Sequence, residues 1–160
     1  MKTESEVLNS LARYCSQAER CVFDLHRKIR EAELPEDAET RIIERLVEEK
    51  FVDDARYARS FVNDKYRFNH WGRIKIVYEL KIRNISPELY TEAINLINED
   101  EYMAILEELL RSKKRAVKGR DGRDIFAKLL RFASSRGYEP SLIISTLKKI
   151  LKDIDYEEDD

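Results

Sequence analysis

The chain has 160 residues, 42% of them hydrophobic and 39% charged, with only four glycines and three prolines. This balance suits many short helices, each with a buried stripe and a broad wetted face, and it leaves too few turn formers for a β-sandwich or a doubly wound sheet. No apolar run reaches the roughly 18 residues of a membrane span, and residues 1–6 lack the apolar stretch of a signal peptide. Cys15 and Cys21, the only cysteines, read as packing residues in a reducing compartment rather than as a bridge. An all-α, cytoplasmic protein is expected.

In chain order, Val7, Leu8, Leu11, Tyr14 and Cys15 stand at helical spacing and predict a first helix. Leu25 and Ile29 mark a second, and Ile43 and Leu46 a third. Asp53-Asp54 then offers an N-cap and a first-turn acid for a fourth helix carrying Ala58, Phe61, Val62 and Tyr66. Ile76 and Leu80 belong to a fifth helix. Ser86-Pro87, a capping residue followed by a first-turn proline, opens a sixth through Ile94 and Ile97. Tyr102, Ile105, Leu106, Leu109 and Leu110 predict a seventh, Leu129 and Ala133 an eighth, and Pro140 opens a ninth through Leu147 and Ile150.

These elements repeat. The set Ile76, Leu80, Ile85, Pro87, Ile94, Ile97 maps, 53 residues on, to Leu129, Ala133, Tyr138, Pro140, Leu147, Ile150, and, 51 residues back, to Leu25, Ile29, Leu34, Glu36, Ile43, Leu46. Only Glu36 is neither apolar nor proline, and Pro35 precedes it. Asn84 and Gly137 share one position between paired helices, and both residue types tolerate the left-handed conformation that ends helices. The organisation expected is three three-helix repeats, 1–50, 51–98 and 99–155, stacked into an elongated curved body. An acidic tail follows at 156–160.

The net charge of −2 conceals a block pattern. Residues 54–83 hold eight Lys/Arg against three Asp/Glu, residues 84–110 hold seven Asp/Glu and no Lys or Arg, and residues 111–136 hold ten Lys/Arg against two Asp. Two basic blocks divided by an acidic one predict discrete sites for polyanions.

Reaction chemistry is not legible. His26 and His70 stand alone, without metal-ligand spacing. There is no Walker motif and no G-x-S-x-G elbow. No catalytic residue, metal or cofactor is therefore assigned, and an enzyme is not expected. Gly119-Arg120-Asp121-Gly122, flanked by Lys118 and Arg123, reads either as a helix connection or as a phosphate-contacting loop. In the first basic block, Arg67, Arg73, Lys75 and Arg83, with Lys65 and Lys81, interleave with Tyr66, Phe68 and Trp71. Such a mixture either grips phosphates and stacks on unpaired bases, or packs a helix junction beneath solvated charges. In the second, Lys113, Lys114, Arg115, Lys118, Arg120 and Arg123 lie in a stretch with no acid between Arg111 and Arg120. That run repels itself, which favours an anion partner.

Phe51-Val52-Asp53-Asp54-Ala55-Arg56-Tyr57-Ala58 resembles the signature of the RecX family: apolar, Asp-Asp, two variable positions, aromatic, Ala. Gly72-Arg73-Ile74-Lys75-Ile76 with Glu79-Leu80 resembles its glycine, basic, Ile, Glu-Leu segment. Ser16-Gln17-Ala18-Glu19 with Leu25 is similar to its opening helix, and Arg136-Gly137-Tyr138 to its basic-Gly-aromatic turn. The likeness spans about residues 7–151. Asn84 departs from the usual glycine, Lys75 stands where arginine is common, and the chain is more acidic than basic members. The resemblance implies a fold of three helical repeats in which Asp53, Asp54, Tyr57, Ala58, Gly72, Leu80 and Gly137 serve mainly structure. It also implies a monomeric regulator of DNA repair, recombination and the SOS response. Such a protein binds RecA filaments on DNA and restrains their growth, ATP hydrolysis and strand exchange, with single- and double-stranded DNA as weak partners of its own. A stand-alone DNA binder and a pure protein scaffold are the alternatives.

Overall fold

A computed structural model describes residues 2–152. The acidic tail expected at 156–160 lies outside the described residues. Within them the chain forms nine α-helices and one 3-10 turn, with no strand: α1 (Glu4–Gln17), α2 (Val22–Ile29), the 3-10 turn (Arg30–Ala32), α3 (Glu36–Glu48), α4 (Asp54–Arg67), α5 (Arg73–Ile82), α6 (Pro87–Asn95), α7 (Glu99–Ala116), α8 (Gly122–Ser135) and α9 (Pro140–Ile150). None of these helices is long and apolar enough to cross a membrane.

Local chemistry sets the helix starts. Thr3 and Glu6 form a reciprocal capping box on α1: the Glu6 amide donates to Thr3 Oγ1 (3.1 Å) and the Thr3 amide to Glu6 Oε2 (3.2 Å). Asp53 Oδ1 accepts from the Ala55 and Arg56 amides at the head of α4 (2.9 and 3.1 Å). Asn98 caps α7 and Asp121 caps α8 in the same way.

Each triplet opens with a helix that buries three residues one turn apart: Val7, Leu11 and Cys15 in α1, Ala58, Val62 and Tyr66 in α4, and Tyr102, Leu106 and Leu110 in α7. The repeated apolar positions of the second and third helices are buried too, except Leu34 and Ile94, which are half-buried. The turn between those helices is left-handed in all three triplets, at Glu33 (φ 53°), Asn84 (φ 56°) and Gly137 (φ 91°). Asn84 and Gly137 suit that conformation, whereas Glu33 adopts it at a steric cost of about 1 kcal/mol.

Contacts divide the chain into two compact units, Met1–Phe61 with Leu80–Ala93, and Val62–Glu79 with Ile94–Asp160, so α4 and α5 contribute to both. The first unit holds a core of Val7, Leu11, Leu25, Ile29, Ile42, Ile43, Leu46 and Val52, with Cys15 at its edge. Cys15 and Cys21 are buried free thiols, and burial pushes the Cys21 thiol up to about 12. In the second unit α7, α8 and α9 pack on one another, and Tyr102 and Tyr138 meet at their core with ring centroids 5.3 Å apart.

Candidate functional site

The motif residues build helix junctions. In the first unit Asp54 Oδ1 accepts from the Val22 amide, the first of α2, at 2.9 Å. Burial raises the Asp54 carboxyl above its ordinary value, and the Val22 bond opposes that rise. Tyr57 and Ala58 are buried on the following turn, and burial pushes the Tyr57 phenol up to about 12. In the second unit the equivalent amide, Arg73 N–H, donates to the Tyr102 hydroxyl (3.0 Å), which itself donates to Glu139 Oε1 (2.5 Å). Gly72 N–H donates to the Arg136 carbonyl (2.7 Å) and Ile74 N–H to that of Gly137 (3.0 Å). A Cβ on Gly72 would lie 2.3 Å from the Gly137 backbone, and one on Gly137 would lie 2.3 Å from Lys75 Cβ. Both glycines are therefore required by the close approach of the α5 start to the α8–α9 turn.

Two of the candidate cations are engaged in this framework. Arg73 lies over the Tyr102 ring (3.9 Å to the centroid) and bonds both Glu139 (2.7 Å) and Glu99. Burial works against its charge, but the two carboxylates outweigh it and hold the guanidinium above its ordinary value. Arg67 bonds Tyr66 Oη (3.0 Å) and Glu101 (2.8 Å), which raise it as well. In the first unit, Arg83 lies 5.1 Å from the Phe61 centroid. It lines a cleft of about 480 Å³ with Arg27, Arg30, His26, Asp54 and Asn84.

A different set of cations lies on aromatic rings of the second unit. Lys65 and Lys75 place their ammonium groups 4.8 and 4.4 Å from the Trp71 centroid. Lys113, near the end of α7, and Arg136, at the end of α8, lie 4.8 and 5.4 Å from the Phe132 centroid. Arg136 Nη1 also donates to the Asn69 carbonyl (3.3 Å), two residues before Trp71. The sequence singled out Arg136 only as the basic residue of the Arg136-Gly137-Tyr138 turn, and Phe132 not at all. They stand four apart, one helical turn, which was the only available signal; Lys113 arrives from another helix.

Of the other candidate cations in the second block, Arg115, Lys118, Arg120 and Arg123 are exposed and Lys114 is half-buried. Arg115 is 3.5 Å from Glu108. In the Gly119–Gly122 loop the carboxylates of Asp121 and Asp124 accept from the amides of Asp124 and Arg120. The Arg120 amide bond, with Lys128 nearby, holds Asp124 below its usual value. The loop is thus a helix connection capped by its own acids, while Lys118, Arg120 and Arg123 project their side chains into solvent. Among the described residues no group of three or more His, Cys, Asp or Glu could hold a metal ion.

The described residues thus define an all-helical protein whose helix starts are capped by side chains and whose cations gather on aromatic rings. Residues 53–94 match the family model "RecX, second three-helix domain". The chain is 32% identical over 113 residues to "Regulatory protein RecX" of Clostridium tetani, covering 69% of this chain and 51% of that one. It is 32% identical over 134 residues to the protein of that name from Clostridium acetobutylicum, covering 81% and 62%. A RecX crystal structure from Lactobacillus salivarius superposes with a TM-score of 0.79 at 19% identity, covering 91% of this chain and 95% of that one. A second RecX crystal structure gives 0.80 at 19%, covering 94% and 73%. The chain resembles the RecX family, whose second three-helix domain model it matches. It spans about half to three-fifths of the length of the two curated relatives.

Proposed function

We propose that this protein is a non-enzymatic regulator of RecA filaments on DNA, acting in repair and recombination by restraining filament growth, ATP hydrolysis and strand exchange. The observation that carries the reading is the match of residues 53–94 to the RecX second three-helix domain, the segment bearing the Asp53-Asp54 and Gly72 motifs. In this reading the protein acts as a cytoplasmic monomer without cofactor, and its three repeats are 1–50, 51–98 and 99–155. Arg67 and Arg73 serve the framework, since carboxylates already hold them. Lys75, Arg83, Lys113, Lys114, Arg115, Lys118, Arg120 and Arg123 meet the filament. The acidic segment 84–110 meets basic filament surface.

Co-sedimentation with RecA filaments assembled on single-stranded DNA tests this. The wild-type protein pellets with the filament, and joint reversal of Lys113, Lys114 and Arg115 to Glu lowers the bound fraction severalfold at low salt. Unchanged binding of the reversed protein removes that face, and no pelleting of the wild type removes the reading.

A further inference from the structure

We propose that the open seam of the first unit is a binding site for a free mononucleotide, with the arginines around the end of α2 taking its terminal phosphate. The inference goes beyond the filament reading and does not rest on it.

The site is the cleft of about 480 Å³ beside the Asn84 turn. Its lining carries three arginines and a histidine against one carboxylate, that of Asp54. Arg27 comes from the last turn of α2, Arg30 opens the 3-10 turn, and Arg83 follows the end of α5. Cations in a last turn suit the helix dipole. That accounts for Arg27, and not for the convergence of a guanidinium from another helix on the same cleft.

The acids around these arginines are already committed. Asp54 Oδ1 accepts from the Val22 amide (2.9 Å), Asp24 Oδ2 accepts from the Cys21 amide (3.2 Å), and Glu31 pairs with Lys28 (3.4 Å). Among the described residues, neither Arg27 nor Arg30 has a carboxylate within ion-pair distance. Arg83 is held in another way, over the Phe61 ring (5.1 Å to the centroid) and by donating to the Tyr57 hydroxyl. An arriving anion thus meets one guanidinium fixed by its neighbours and two exposed ones.

The second unit shows what the first lacks. There Arg73 bonds Glu139 and Glu99 at the tight seam. In the repeat, Val22 stands at the place of Arg73 and Ser86 at that of Glu139, while Tyr78 stands at the place of Arg27. The second unit supplies its own anion to its seam arginine. The first gathers arginines around a cleft and leaves the anion to a ligand.

Charge and size select that ligand. A terminal phosphate carries about −1.5 to −2 at neutral pH, which answers three arginines less one aspartate, whereas a backbone phosphodiester brings a single charge. Guanidinium forks match phosphate oxygens in pairs. The cleft falls within the roughly 300–1,000 Å³ of small-molecule sites, more room than a bare phosphate fills. The half-buried Phe23 ring offers a flat face in the lining, and the Asn84 amide offers a donor and an acceptor. A base takes the ring and the amide while the terminal phosphate takes the arginines. Arg83 is also assigned to the filament above; Arg27 and Arg30 are not, so they carry the test.

Isothermal titration of the intact protein with ADP at low salt is expected to show one saturable site. Arg27→Gln/Arg30→Gln should weaken ADP at least about tenfold, since two charge-assisted contacts are lost. Phe23→Leu should weaken ADP about fivefold or more through the lost stacking, and leave inorganic pyrophosphate within about twofold. Arg13→Gln, an exposed arginine of the same unit outside the cleft lining, should change ADP binding by less than about twofold. Should Phe23→Leu lose its helical circular dichroism, Asn84→Gly, which suits the left-handed turn, reads the base side of the cleft instead.

Absence of binding at millimolar ADP overturns the proposal. So does a double variant that binds ADP like the wild type, or pyrophosphate that binds as tightly as ADP. Displacement of ADP by polyglutamate, or by oligothymidine without a terminal phosphate, overturns it too, since the cleft would then serve a polymer. ADP binding that follows the expected pattern, in a protein without effect on RecA, supports the cleft and overturns the filament reading. Inhibition of RecA without ADP binding does the reverse.

Discussion

The two units solve the same junction differently. In each, the first amide of a triplet's second helix is answered by a side chain from the opening turn of the next triplet: Asp54 takes Val22, and Tyr102 takes Arg73. The neighbouring positions diverge. Cys21 in the first unit corresponds to Gly72 in the second, and Asn84 to Gly137. Where both are glycine, backbone meets backbone and two amide bonds close the contact. Where they are Cys21 and Asn84, a cleft of about 480 Å³ lies beside the turn. One helical plan thus accommodates a tight seam or an open one according to whether two Cβ atoms are present.

Breaking the tight seam should have the largest effect. Gly72→Ala places a methyl group against backbone that has no side-chain freedom to yield, and destabilisation of about 3 kcal/mol is expected. Cys21→Ala, at the matching position, loses only a buried sulfur, and about 1 kcal/mol is expected. Urea unfolding of the two variants checks the ranking. Equal losses would mean that the glycine approach is not what distinguishes the units.

The next effect concerns the tyrosine pair of the second unit. Tyr102→Phe removes an acceptor for Arg73 N–H and a donor to Glu139, and should cost about 1–2 kcal/mol. Tyr138 is buried, yet its hydroxyl has no hydrogen-bond partner among the described residues. Tyr138→Phe should therefore be neutral or stabilising by up to about 1 kcal/mol. A loss as large as that of Tyr102→Phe would contradict this contrast. The same two thermal melts read both variants.

The smallest effect sharpens the comparison at Asp54. Its folded-state pKa is raised, so the folded protein holds that proton more tightly than the unfolded chain does. The stabilisation from the protonated carboxyl is full below the unfolded value near 4 and is lost as pH rises through the folded value. Asp54→Asn keeps an acceptor for Val22 without the buried charge, whereas Asp54→Ala loses the bond, at about 1 kcal/mol at neutral pH. Unfolding midpoints across the acid range should show the Asn variant gaining on wild type as pH rises. A gap that narrows instead would reverse the sign assigned to Asp54.

The helices were legible because a buried stripe is a local, periodic property: Ile76 with Leu80, or Tyr102 with Leu106 and Leu110, declare their face by spacing alone. The turn at Asn84 and Gly137 was legible for the same local reason. Glu33 was not, because nothing in a glutamate signals a left-handed turn; its conformation follows from its place in the repeat. The chemistry of the candidate site was legible only as a list of charges. Glu139 lies 66 residues from Arg73, and Asn69 lies 67 from Arg136. No short pattern separates the cations that carboxylates hold from those that rest on rings. That distinction separates Arg67 and Arg73, which carboxylates hold, from Lys75 and Lys113, and it brought Phe132 to notice.

The most direct test of the account is RecA-catalysed ATP hydrolysis on single-stranded DNA, with RecA from the same organism and this protein added well below the RecA concentration. Strong inhibition at that ratio is predicted, since one regulator acting on a filament restrains many subunits. Hydrolysis that continues unchanged, with the protein folded and the filaments intact, would contradict the assignment as a filament regulator.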